Sequence, residues 1–257
     1  MAEVINDILG YDGLKVIQDS EKFNFSLDST LLANFTNLSP KDKEILDIGC
    51  GNAFIPLFLS IKTKNHITGI EIQEELADLS RRSVELNHLE KQITIVNQDV
   101  RNYYKVVGVS QFDVIVSNPP YFKVEEHSNF NKNDYLTNAR HETTLTLDEL
   151  LDSVRKLLKD NGKFYLVHRA ERMVDVIEAF RKYGIEPKRL QFIYPKKSSK
   201  DAYLILIEGL KSKRLGGLKI EKPLYIHKEN GEYRTEILKI FRFKGDNNEK
   251  TNEFQKQ

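Results

Sequence analysis

Asp47-Ile48-Gly49-Cys50-Gly51-Asn52-Ala53 directly follows the apolar run Glu44 to Ile48 and leads into a helical segment. Two glycines one residue apart let the backbone turn tightly at the carboxyl end of a strand and approach a ligand closely. The third glycine of a dinucleotide G-x-G-x-x-G fingerprint is missing, which disfavours a pyrophosphate. Asp47 points the same way: it would repel phosphate but can accept from an ammonium group, which suits an amino acid moiety and a sulfonium.

Reading outward, two further acids close the next two strands. Glu71 ends Thr68-Gly69-Ile70-Glu71-Ile72, where a carboxylate can hold both hydroxyls of a ribose, and Asp99 in Asn97-Gln98-Asp99-Val100 can accept from an adenine amino group. Each alone reads equally well as a helix-start carboxylate. Three acids at the ends of successive strands around one glycine loop point to a nucleoside cofactor. Cys50 reads as a small loop residue, not a nucleophile.

The rhythm around this loop sets the fold. Buried-strand runs occur at Glu44 to Ile48, Ile67 to Ile72, Ile93 to Val96, Phe112 to Ser117, Gly162 to Val167, Leu190 to Tyr194 and Ala202 to Glu208. Helical patterns lie between most of them, at Glu74 to Asn87, Thr146 to Leu158 with a Thr-x-x-Glu capping pattern, and Glu171 to Tyr183 before Gly184. The expectation is an α/β protein with a seven-stranded, mostly parallel sheet and helices on both faces. Only PKKSSKD separates the last two strands, so they are expected to form an antiparallel hairpin at the sheet edge.

Asn118-Pro119-Pro120-Tyr121 follows the strand Phe112 to Ser117. A planar exocyclic amine is a poor nucleophile because its lone pair is delocalised. If the Asn118 side-chain oxygen and the Pro119 carbonyl accept its two hydrogens, the lone pair is steered towards an electrophile, and positioning does most of the catalysis. Tyr121 then offers a stacking face for an extruded base. By itself the motif is also a plain proline turn; the three acids decide between the two.

Composition bounds the rest. With 257 residues, 40% hydrophobic and 30% charged, the chain suits one large core, and its single cysteine and six unclustered histidines suggest neither disulfide nor metal site. No apolar run is long enough to span a membrane and the start is too polar for a signal peptide, so a cytoplasmic place is expected. The net charge of +1 hides an asymmetry: residues 1–150 carry 14 Lys+Arg against 23 Asp+Glu, residues 151–257 carry 25 against 15. A basic back half suits one phosphate-facing surface or, more plainly, solvated helix faces.

DIGCGNA, GIEIQ, NQDVR and SNPPYF together resemble class I S-adenosylmethionine-dependent methyltransferases, and the pattern over nearly the whole chain is similar to the bacterial tRNA1(Val) adenine-37 N6-methyltransferase family. Softer matches are Phe25 to Leu32, Ala139-Arg140-His141-Glu142 and Leu224 to His227. The resemblance implies a Rossmann-like methyltransferase sheet, S-adenosyl-L-methionine as cofactor and tRNA as partner. It gives Gly49 and Gly51 to the methionyl part, Glu71 to the ribose and Asp99 to the adenine; Asp28 is expected to help close the pocket or to N-cap a helix from Ser29 to Phe35. Arg140 with His141, and Lys196, Lys197 and Lys200, with Lys211, Lys213, Arg214 and Lys219 nearby in sequence, are the candidates for RNA contact. The expected layout is one domain over 1–244: an N-terminal cofactor-closing segment (1–43), a core (44–208) with a substrate-side flap at 122–145, and an appendage (209–244). A disordered tail (245–257) follows. The alternatives are a glutamine N5-methyltransferase acting on a release factor, against which the 46 residues before Asp47 count because those enzymes carry an N-terminal helical domain, and a non-catalytic RNA-binding module.

Overall fold

In the computed structural model, which describes residues 3–8, 10, 13–19, 27–119 and 145–242, the apolar runs form the strands their alternation predicts. The elements are β1 (Glu3–Asp7), β2 (Lys15–Asp19), α1 (Leu27–Phe35), β3 (Glu44–Ile48), α2 (Phe54–Lys62), β4 (His66–Glu71), α3 (Glu74–Leu86), β5 (Ile93–Asn97) and α4 (Val100–Val107). They continue with β6 (Phe112–Ser117), α5 (Leu147–Leu157), β7 (Leu158–Arg169), α6 (Met173–Lys182), β8 (Ile185–Lys196), β9 (Leu204–Lys211), β10 (Lys219–Ile220), β11 (Leu224–His227) and α7 (Thr235–Ile240).

Successive side chains of a strand point to opposite faces, so an unbroken apolar run needs cover on both. Ile45, Val114, Val116 and Tyr165 pack with α1 and α2 on one face. Leu46, Ile115, Phe164 and Leu166 pack with α4, α5 and α6 on the other. α5 starts at the expected capping box, Thr146 and Glu149 bonding each other's backbone amides.

The main sheet runs β10-β8-β9-β7-β6-β3-β4-β5, with β11 also pairing β8. From β3 the chain steps one way to β4 and β5 and the other way to β6 and β7, so the switch point lies between β3 and β6, where Asp47 pairs with Val116 and Ile48 with Ser117. Loops leaving these two strands diverge and open a crevice at the carboxyl edge.

The expected antiparallel hairpin forms from β8 and β9, but it is not the outermost element: β9 lies between β7 and β8, and the sheet continues past β8 by two short parallel strands, so that it has nine strands among the described residues instead of seven. The N-terminal segment forms an antiparallel β1–β2 hairpin that pattern did not indicate. Helix α1 begins at Leu27, which puts Asp28 inside its first turn, where a carboxylate suits the helix dipole, and not at an N-cap. The C-terminal segment belongs to the main core: Ile226, Ile237 and Phe241 pack with Leu31, Leu32 and Phe35. The Gly10 amide donates to the Phe241 carbonyl at 2.9 Å, tying both ends of the described chain together. Among the described residues no helix is long and apolar enough to cross a membrane.

Candidate active site

The loop after β3 turns through left-handed residues, Gly49 (φ 74°), Gly51 (φ 57°) and Ala53 (φ 68°). The Gly49 and Cys50 amides both donate to the Ile70 carbonyl at 2.9 and 3.1 Å, hooking the loop over the end of β4. That approach needs Gly69: a Cβ there would lie 2.9 Å from Cys50 Sγ and 2.9 Å from Ile95 Cδ1. Ser80 of α3 donates to the Gly51 carbonyl and braces the loop from behind. Space is open at Gly49 and Gly51, where a Cβ would meet nothing within 4 Å. Burial, with Asp47 and Glu71 beside it, pushes the Cys50 thiol well above its usual range, which suits a packed loop residue and no nucleophile.

Two carboxylates line this loop. Glu71 is buried, with one oxygen accepting from the Gly51 amide at 3.1 Å and the other from the Gln73 amide at 2.9 Å; burial raises its pKa against those bonds. Asp47 is fully buried, and neither of its oxygens has a hydrogen-bond partner among the described residues. Burial, then the nearby charge of Glu71, push its carboxyl well above the usual range. A buried acceptor without a donor is costly, so Asp47, with Glu71 nearby, fits a ligand that brings cationic, N–H or O–H donors. That is the chemistry of S-adenosylmethionine's ammonium, sulfonium and ribose, and the residues present fit the cofactor.

Asp99 sits at the carboxyl end of β5, as expected, but also N-caps α4 by accepting from the Arg101 amide at 2.9 Å. Burial would raise it, yet the Arg101 guanidinium, 2.7 Å away and itself tied to Glu149 of α5, holds it below the usual range. The helix-start reading therefore applies to Asp99, and any adenine contact would share an already engaged carboxylate.

Asn118 follows β6 at the switch point, where Ser117 Oγ donates to the Ile48 carbonyl at 3.0 Å and ties the two strand ends. Asn118 Nδ2 donates to Ser29 Oγ at 2.9 Å, and Pro119 is buried beside it. Ser29 was missed by pattern, although it stands in the Phe25 to Leu32 segment next to Asp28. The first turn of α1 lies near the start of β9, where burial and then the charge of Asp28 raise the Tyr203 hydroxyl above its usual range. Tyr121, Arg140, His141 and residues 122–144 of the flap lie outside the described residues, as do 243–257.

The basic residues divide by topology. Lys196, Lys197 and Lys200 occupy the β8–β9 turn, and since β8 runs parallel to β6 they lie at the carboxyl edge with Asn118. Lys196 Nζ donates to the Glu229 carbonyl at 3.2 Å, while Lys197 and Lys200 are exposed. Lys211 ends β9 at the opposite edge and donates to the Arg155 and Leu158 carbonyls at the end of α5, a structural job; Lys219 pairs with Glu221 at 3.0 Å.

Residues 25–192 match the family model described as methyltransferase small domain. A tRNA1(Val) (adenine(37)-N6)-methyltransferase of Shewanella halifaxensis is 29% identical over 218 residues, covering 81% of this chain and 86% of that protein. One of the same name from Trichodesmium erythraeum is 30% identical over 181 residues, covering 69% and 74%. Among solved structures, a protein described as a predicted O-methyltransferase from Agrobacterium tumefaciens superposes with a TM-score of 0.63 at 19% identity, covering 84% of this chain and 96% of that one. A geranyl diphosphate C-methyltransferase from Streptomyces coelicolor, solved with S-adenosyl-L-homocysteine, gives 0.52 at 10% identity, covering 71% and 76%.

Proposed function

We propose that this chain, which belongs to the methyltransferase small domain family and within it to the tRNA1(Val) (adenine(37)-N6)-methyltransferases, methylates N6 of adenosine 37 in a valine tRNA. S-adenosylmethionine, when bound, supplies a methyl group made electrophilic by its sulfonium. The observation that carries the reading is Asn118 at the carboxyl end of β6, beside the glycine loop and with its amide held by Ser29.

The chain's own part is to bind and orient. Glu71 and Asp47 present carboxylates to the ribose hydroxyls and the cationic groups, and the Gly49 and Gly51 backbone stays bare so that the methionyl part can come close. Asp99 would accept from the adenine amino group of the cofactor, sharing a carboxylate that Arg101 already engages, and Asp28 would help close the pocket from α1. Asn118 Oδ1 and the Pro119 carbonyl accept the two hydrogens of the adenine amine, turning its lone pair towards the methyl; Tyr121 stacks on the flipped base. No strong base is needed, because the amine becomes acidic only as the new bond forms and its proton can leave to water. Lys196, Lys197, Lys200 and Arg140 meet the RNA backbone, and a tRNA substrate puts the protein in the cytoplasm.

The test is to incubate the protein with methyl-labelled cofactor, bulk tRNA and a release factor, then digest the tRNA to nucleosides and count label in each. N6-methyladenosine from the valine tRNA is the expected product. Label found only in a release factor, or in no substrate while tRNA still binds, would replace this reading with a protein methyltransferase or a binding module.

A further inference from the structure

An asparagine side chain has an acceptor end and a donor end of nearly equal size, and only the acceptor end can orient an amine by its hydrogens. At Asn118 the donor end is engaged: Nδ2 reaches Ser29 Oγ at 2.9 Å, across 89 residues of sequence. The partner sits on a firmly seated element. On α1, Thr30, Leu31, Leu32 and Ala33 are buried. Its last carbonyls are gripped at the far end by two cations, Lys62 Nζ on Ala33 and Asn34 at 2.9 Å each, and Arg189 on Phe35 at 2.6 Å. The Arg189 guanidinium also lies 3.8 Å above the Phe35 ring and pairs with Glu208 at 2.8 Å. Helix α1 thus holds one hydroxyl at a fixed place beside the end of β6.

We propose that Ser29 is a positioning residue: by taking the Asn118 amide nitrogen it keeps the amide oxygen turned to the reacting amine. The inference rests on the reading of Asn118 as the amine acceptor. Without the Ser29 hydroxyl the amide loses this bond to its nitrogen, and a turned amide would offer a donor where an acceptor is needed.

The experiment uses the full chain and the variants Ser29→Ala, Ser29→Thr, Asn118→Asp and the Ser29→Ala, Asn118→Asp double variant. Ser29→Ala should lower kcat about tenfold while KM for tRNA and the Kd of the cofactor stay within about twofold, and Ser29→Thr, which keeps a hydroxyl, should recover most of the rate. In Asn118→Asp the side chain has no donor, so adding Ser29→Ala should lower the residual rate little further. The Asn118 side-chain amide signals in a 1H–15N spectrum, identified by their absence from Asn118→Asp, should move in Ser29→Ala and return in Ser29→Thr. An unchanged kcat in Ser29→Ala, a loss seen in KM or melting temperature instead, or an equal further loss in the aspartate background would overturn the proposal. If the wild-type protein leaves tRNA unmethylated, the functional reading fails, and the amide signals still decide about Ser29: no movement in Ser29→Ala refutes it.

Discussion

Asp42 and Asp47 lie at the two ends of β3, both buried, and their surroundings push them in opposite directions. Burial would raise Asp42, but Lys163 Nζ at 2.7 Å and the Ser39 amide at 2.6 Å hold it below the usual range. Asp47 has no such partner among the described residues and is raised by burial and then by Glu71. The contrast extends along the sheet. At the amino edge cations find acceptors: Lys163 on Asp42, Lys159 on Asp113 at 2.9 Å, Lys62 and Arg189 on the end of α1, Lys211 on the end of α5. Helices finish there, and their carbonyl ends favour positive charge. The carboxyl edge holds the left-handed residues of the glycine loop, Asn118 bonded to Ser29, and Asp47, whose oxygens have no hydrogen-bond partner among the described residues. One edge is built for stability, the other holds an arrangement that a ligand completes.

Substitutions at the two edges should separate in what they change. Asn118→Ala, at the carboxyl edge, should lower turnover by about a hundredfold or more while the melting temperature stays put, since it removes an acceptor used on the reacting amine. Lys163→Met, at the amino edge, should do the reverse, destabilising by about 2 kcal/mol in denaturant unfolding with kcat unchanged, because it strands a buried carboxylate. A large rate loss in Lys163→Met would dissolve the distinction between the edges.

Asp47→Asn tests the same contrast through pH. The folded pKa of Asp47 is raised, so the folded state keeps a proton the unfolded chain has released, and stability falls as pH rises from about 4 through the raised value. Asp42 is depressed, so its contribution is full above about pH 4 and is lost as pH falls through its folded pKa. Asp47→Asn should therefore stabilise the cofactor-free protein at pH 7 by about 1 kcal/mol, remove the first trend, leave the second, and weaken cofactor binding about tenfold. Urea melts across pH 3 to 8 with cofactor titrations would show it, and a less stable variant at neutral pH would contradict it. The smallest effect is expected from Lys196→Ala with Lys197→Ala, which should flatten the dependence of tRNA affinity on salt by a log–log slope of about 1 to 2 and spare kcat. Lys211→Ala should leave that slope alone.

What the sequence made legible follows the same division. Strands β3 to β7 could be read because burial on both faces leaves unbroken apolar runs, and β6 matches its expected range at both ends. The glycine loop and its acids could be read because their spacing is local. The β1–β2 hairpin could not: Val4 and Ile5 are exposed, and its docking depends on distant groups, Glu3 with Arg82 at 2.7 Å and the Ile17 amide on Ser83 at 3.0 Å. Lys211 was grouped with Lys196 by nearness in sequence, whereas a strand's length carries it to the other edge. Ser29 stayed hidden because a serine near the start of a helix reads as helix chemistry until the fold brings Asn118 to it.

The clasp between Gly10 and Phe241 bears on how the molecule is made. Helix α1 is among the first elements to leave the ribosome, yet the face it packs on includes Ile237 and Phe241, among the last described. Helix α1, and Ser29 with it, therefore takes its final seat only after those last residues have been made.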